Sequence, residues 1–314
     1  IERSTNLLPQ IKKNRKFSYD NMVIGLIFIT YGYFLKLVIA DRAAIVVNGV
    51  FNSIESYSSL VLFFAAFLFT IQIYCDFYSY SIIAKGSAKI LGVDLMDNFK
   101  EPFFSKSIVE FWSRWHISLS SWFKDYLYIP LGGNRKGKFR KYINLLIVFT
   151  ASGLWHGAEL SFIVWGFING LLIIFENITG IHKKKTGMLL NTLRIIATYL
   201  AFIFTTIFFR ASTTMDAILF IKNIFTFDFS KYDFNSSLIA LKFSNNELLV
   251  LVISILILFL VDFLKYKGIK PINTLKNIYL PIRWIIYLFF IFGILIFGIY
   301  GPGFSESQFI YFQF

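Results

Sequence analysis

Cysteine, histidine and acidic residues are all scarce in this chain of 314 residues, and each shortage removes a class of protein. The single cysteine, Cys75, excludes an internal disulfide and reads as a small buried hydrophobe. A metal site needs three or four converging ligands, which three histidines and one cysteine support weakly, so no metal is expected. Acids are outnumbered by bases 18 to 31, giving a net charge of +13. Such a balance can mark a nucleic-acid binder, but here the Lys and Arg fall in short loops between apolar runs and form no continuous stripe. That is the pattern of basic loops kept on the cytoplasmic side of a membrane, and nucleic acid is not an expected partner. Ile1 is not preceded by a Met and opens no secretion signal, so the chain is expected to be N-terminally incomplete. The sequence has no Ser nucleophile elbow. The turn Gly132 to Gly137 (GGNRKG) is Gly-rich and basic but lacks the strand and the Lys-Ser/Thr pair of a nucleotide-binding P-loop.

What the chain has in quantity is apolar surface. More than half of the residues are hydrophobic and the mean hydropathy is +0.64, values that place it in a bilayer. Runs near the roughly 17 to 25 residues needed to cross fall at Met22–Ala40, Ser59–Tyr80, Lys141–Trp155, Leu160–Phe175, Leu190–Phe209, Leu248–Phe263 and Arg283–Tyr300. The expected fold is therefore an all-α polytopic membrane protein, a single domain over residues 1–314 with about seven spans. Loop charges set its orientation. Residues Ile1 to Asp20, the segment Ser81 to Arg140, the loop Glu176 to Asn191 with Lys183, Lys184 and Lys185, and the loop Lys265 to Lys276 read as cytoplasmic. Loop Asp41 to Ser58, with one Arg against two acids, and the tail after Tyr300, without Lys or Arg, read as external.

The fifty residues from Ser107 to His156 hold two of the three histidines, four of the six tryptophans and the densest basic cluster. Ser107 stands three residues before Glu110, a capping-box spacing, so a helix is predicted over 108–128. On it Trp112, Trp115, Leu119, Trp122 and Phe123 recur at helical steps opposite Arg114, Ser118, Ser121 and Asp125. Pro130, Gly132 and Gly133 end it. From pattern alone this central 81–140 segment is either an interfacial helix anchored by Trp or a re-entrant one.

The run EFWSRWHISLSSWFKDYLYIPLGGNRKG, followed by SGLWHG, resembles the membrane-bound O-acyltransferase family, in the bacterial branch similar to the membrane subunit of alginate O-acetylation. The likeness extends to LKLVIADR (35–42), IQIYCDFYSYSIIAKG (71–86) and, weakly, the C-terminal GIYGPGFSESQFIYFQF. It departs where the family often has DFSGYSD: here Ile82 stands in place of the second carboxylate. The resemblance implies that the central segment lines a polar chamber and that the chain is a bacterial inner-membrane enzyme. It would move an acyl group, acetyl in the first instance, from a cytoplasmic thioester such as acetyl-CoA to an extracytoplasmic polysaccharide or acyl-accepting partner protein. No bound cofactor is implied. D-alanyl transfer to teichoic acid is the alternative within the family. A proton-coupled transporter is the alternative outside it, without the internal repeats that would favour it.

Candidate site residues follow. His156, in Gly153-Leu154-Trp155-His156-Gly157, is an ionisable group at the edge of a span, which marks either function or a hydrogen bond to a neighbouring helix. The resemblance ties it to acyl transfer. His116 alone reads as a packed surface histidine, and within RWHISLS as a second active-site group. Trp112 and Ser120 lie one turn either side of it, while Ser152 and Trp155 accompany His156. Asp76 reads as a buried, paired carboxylate or as a boundary residue in water. Arg135, Lys136 and Lys138 are either a membrane-surface anchor or contacts for donor phosphates. His182, beside three lysines, is expected to be solvated.

Overall fold

The computed structural model describes residues 1–226, 233–301 and 309, and each element in its chain order is helical. These are α1 (Ser4–Lys12), α2 (Tyr19–Tyr33), α3 (Asp41–Phe51), α4 (Ser59–Ile90), α5 (Ile108–Arg114), α6 (Ile117–Phe123) and α7 (Gly137–His156). They continue with α8 (Leu160–Thr179), α9 (Met188–Arg210), α10 (Thr214–Phe225), α11 (Phe234–Ala240), α12 (Asn245–Tyr266), α13 (Pro271–Asn277) and α14 (Leu280–Phe297). A π-helical stretch, Phe34–Ala40, joins α2 to α3, so that Tyr19–Phe51 runs on as one length.

Six of these lengths are long and apolar enough to cross a membrane: Tyr19–Phe51, α4, α8, α9, α12 and α14. The expected seven therefore become six by this measure among the described residues. The one that drops out is α7, which has a spanning length of 20 residues but opens on Lys138, Arg140 and Lys141 and carries Asn144 and Ser152. Apolar side chains such as Leu249, Val252, Leu256 and Leu260 on α12, and most of α14, are exposed in rows, as lipid-facing positions must be. Apart from Gly301 and Phe309, the tail read as external lies outside the described residues.

The chain folds as two compact units, with α3 and α4 contributing to both. One comprises Ile1–Val46, Ile71–Asn98 and the described residues from Leu241 on. The loop expected at 41–58 is helical as far as Phe51, and in this unit Asp41 and Arg42, counted as water-exposed topology charges, are buried. Asp41 and Asp76 share Lys36, whose Nζ lies 2.9 Å from Asp41 Oδ1 and 2.7 Å from Asp76 Oδ1. All three are almost fully enclosed, so the lysine exchanges water for two carboxylates. Nearby in the same unit the Tyr74 hydroxyl donates to Asp262 Oδ2 at 2.6 Å, and Lys265 Nζ donates to the Tyr78 hydroxyl at 2.7 Å.

The second unit comprises Val47–Thr70 and Phe99–Ala240. Its centre is the pair α7 and α8, joined by only three residues, Gly157 to Glu159. They touch backbone to backbone, because a Cβ at Gly153 would collide with the Phe162 carbonyl and one at Gly166 with the Phe149 carbonyl. Gly157 lies past the end of α7 in extended backbone, so the glycines that admit the contact are Gly153 on α7 and Gly166 and Gly170 on α8.

Candidate functional site

The segment predicted as one helix over 108–128 is three pieces. Ser107 caps α5 as expected, accepting from Glu110 N at 3.0 Å, while the Glu110 carboxylate accepts from Lys106 N at 2.8 Å, one residue upstream of the reciprocal capping-box bond. The helix then breaks at Trp115 and His116. His116 takes the left-handed conformation (φ 43, ψ 54) and starts α6, and a π-helical turn, Lys124–Tyr128, follows. Neighbours on a continuous helix project about 100° apart. The break sends Trp115 into a cluster with Phe99, Phe103, Phe111 and Phe202, and His116 into a cavity. A left-handed non-glycine residue costs roughly 1–2 kcal/mol, so packing overrides local preference here. Beyond the break the predicted apolar stripe holds only in part: Leu119 and Phe123 are buried as expected, but so is Ser118 from the opposite side, and Trp122 is 36% exposed.

The cavity has a volume of about 380 Å³ and is walled by α5, α6, α7 and α8 with the turn after α6. His116, His156, Ser152, Ser120 and Trp112, five of the residues singled out from sequence, line it together. Leu119, Phe123, Val148, Phe149 and Ile173 make its walls apolar, and Lys124, Lys141 and Asn177 supply further polar groups. Both imidazoles are buried, and burial, with His156 nearby, holds His116 well below the ordinary imidazole pKa. Trp155 does not line the cavity but meets both rings edge-on, at 6.2 Å from His116 and 4.9 Å from His156. His156 also packs against Trp165 and Phe209, at 5.4 and 5.1 Å.

Other expected site residues fall elsewhere. Asp76 belongs to the Lys36 group, the buried and paired form of its two sequence readings. Arg135, Lys136 and Lys138 are exposed and do not line the cavity. Their turn is held by Asn144, which donates from Nδ2 to the carbonyls of Leu131 and Gly133 at 3.3 and 2.9 Å. His182 is only partly solvated, being half-buried with Nδ1 2.9 Å from the Glu176 carbonyl oxygen.

Sequence reasoning missed a row of residues on α8. Trp165, Asn169, Ile173 and Glu176 recur at steps of four, four and three and are all buried. Asn169 Oδ1 accepts from Trp112 Nε1 at 3.2 Å, and the Glu176 carboxylate accepts from the backbone N–H groups of Ile108 and Val109 at 2.8 and 2.9 Å. The available signal was polar residues at helical spacing on an otherwise apolar run. Lys36, inside a predicted span, gave a similar signal.

A polytopic helical membrane protein with two buried histidines facing one apolar cavity is the class that fold and site define. The profile of MBOAT, the membrane-bound O-acyltransferase family, matches residues 4–215, and the chain belongs to that family. It is 39% identical over 198 residues to a probable alginate O-acetylase AlgI of Pseudomonas syringae pv. tomato, covering 63% of this chain and 38% of that protein. It is 34% identical over 229 residues to a peptidoglycan O-acetyltransferase of Helicobacter pylori, covering 71% and 43%. To a teichoic acid D-alanyltransferase of Bacillus subtilis it is 33% identical over 124 residues, covering 37% and 31%. The chain thus spans about two fifths of the length of the first two relatives.

Proposed function

We propose that the protein is an O-acyltransferase of the bacterial cytoplasmic membrane that moves an acyl group, acetyl first, from a cytoplasmic thioester onto hydroxyls of an extracytoplasmic envelope polysaccharide, directly or through a partner protein. The observation that carries this reading is the meeting of His116 and His156 at one apolar cavity in a chain of this family. Acetyl is favoured over D-alanyl because the likeness to proteins named as O-acetylating enzymes covers more of the chain.

The chemistry follows from neutral imidazoles. Transfer forms a bond between the acceptor oxygen and the thioester carbonyl carbon, breaks the carbon–sulfur bond, and moves the hydroxyl proton by way of a base to the departing thiolate. His156 is that base, a role whose loss costs roughly 10² to 10⁴ in rate. His116 holds the developing oxyanion, worth roughly 10² to 10³. Apolar walls exclude water that would hydrolyse the thioester. Ser152, Ser120 and Trp112 order the acceptor and donor between the rings, and Trp155 braces both imidazoles. Arg135, Lys136 and Lys138 are proposed to meet donor phosphates outside the cavity, with Lys124 and Lys141 at its wall. Asp76 supports the fold through Lys36.

Incubating the purified protein in lipid with labelled acetyl-CoA, with and without acceptor glycan, tests the reading. Label is expected on a glycan or partner hydroxyl. His156→Ala and His116→Ala should insert and fold yet lose transfer, His156→Ala at least as severely, while His182→Ala retains it. Transfer near the parental rate by a well-folded His156→Ala protein sinks the assignment.

A further inference from the structure

His116 is held in a left-handed conformation between two short helices by the packing of Trp115 and by the cavity, and the first of those helices, α5, is anchored in turn at its other end. A seven-residue helix leaves its first backbone N–H groups without partners of its own. Ser107 takes the one at Glu110. The other two, at Ile108 and Val109, are taken by the carboxylate of Glu176, one oxygen each, from 68 and 67 residues away. A carboxylate at this position also lies against the positive end of the helix, where negative charge is favoured. Its side chain is nine-tenths buried, so the contact is an internal fixture and not a surface pair.

The same face of α8 reaches the site at three more points. Trp165 packs on the His156 ring, Asn169 holds the Trp112 indole, and Ile173 forms part of the cavity wall. One rigid helix therefore touches His156 at one end of its buried row and the start of the His116 segment at the other. Glu176 does not line the cavity, so any effect it has on transfer is exerted through α5.

We infer that Glu176 is a positioning residue: by gripping the first two N–H groups of α5 it fixes the register of the His116 segment against α8 and hence the placement of His116 relative to His156. This rests on the proposed function only for its catalytic consequence; the grip itself is independent of what the enzyme transfers. A displacement of about 1 Å at a reacting group can cost roughly 100-fold in rate, so the anchor matters even though it is remote from the chemistry.

The test uses the full-length protein in lipid with Glu176→Gln, which keeps one acceptor oxygen, and Glu176→Ala, which keeps none. Hydrogen exchange at amides 108–116 is expected to quicken roughly tenfold or more, as the loss of charge-assisted hydrogen bonds implies, while the amides of α7 stay as in the parent. The kcat should fall roughly 10- to 100-fold, more for Ala than for Gln, with the donor KM little changed. Parental exchange at 108–116 in Glu176→Ala overturns the inference. So does faster exchange with a parental kcat, or loosening spread evenly through α7, α8 and α9, which is the mark of a merely structural role. If the parent transfers no acyl group to any acceptor, the proposed function falls, and the exchange measurement still decides the anchor.

Discussion

His116 illustrates how one residue carries both the cost and the use of this site. Its left-handed backbone and its burial are both unfavourable in isolation, and both are imposed by the packing of Trp115 on one side and the cavity on the other. A pH dependence follows. The folded-state pKa is depressed by burial below the ordinary value near 6.5, so the unfolded chain takes up a proton first as the pH falls. The stability associated with neutral His116 is present above pH 6.5 and is lost as the pH drops below it towards the folded-state value. Thermal unfolding in detergent at about pH 7.5 and 5.5 should show this loss, and His116→Gln should show less of it. His156 could be picked from the sequence because an ionisable group among apolar neighbours is conspicuous, whereas His116 stood out only through the resemblance carried by RWHISLS. The left-handed turn could not, since RWHISLS contains neither Gly nor Pro to announce a break. Glu176 escaped notice because it ends an apolar run and was counted as the first residue of a loop.

Among the elements, α7 and α8 show what sequence patterns convey and where they stop. The ends of α8, α9 and α12 were legible to within about four residues, because hydropathy is a local property. Which glycines make the close contact was not, because it depends on a partner helix that no single run can reveal. Replacing Gly166 with Leu should force α7 and α8 apart and destabilise the fold by about 1–3 kcal/mol or more. Gly293→Ala, inside α14 where a Cβ meets nothing, should be neutral or stabilising by up to about 1 kcal/mol. Thermal unfolding of the two variants side by side checks this. The basic turn before α7 was recognised as a turn from its Pro and glycines, and its role is separable. Changing Arg135, Lys136 and Lys138 together to Gln should raise the apparent donor KM with kcat retained, since the residues are exposed and stand off the cavity. An unchanged KM with impaired insertion would assign the cluster to orientation instead.

For the molecule as a whole, the number of crossings turns on α7. If only the six apolar lengths cross, Lys183, Lys184 and Lys185 fall on the same side as the loop after α3, against the usual cytoplasmic bias of basic loops. If α7 crosses too, they fall on opposite sides. The buried Cys75 is the chain's only cysteine, so introduced thiols can be labelled cleanly. With an impermeant reagent on intact cells, Asn52→Cys should label and Lys184→Cys should not; labelling at both positions would make α7 a non-crossing helix. The glycine-lined contact between α7 and α8 has a consequence for biosynthesis. A helix that begins with three basic residues and carries a buried asparagine gains little by partitioning into lipid alone, and only three residues separate it from a strongly apolar successor. The two are therefore suited to leave the insertion machinery together as a preassembled hairpin, α8 supplying the partition energy and its glycines the surface against which α7 is carried in. On that view His156, at the bend of the hairpin, is delivered to its depth before α9 is synthesised.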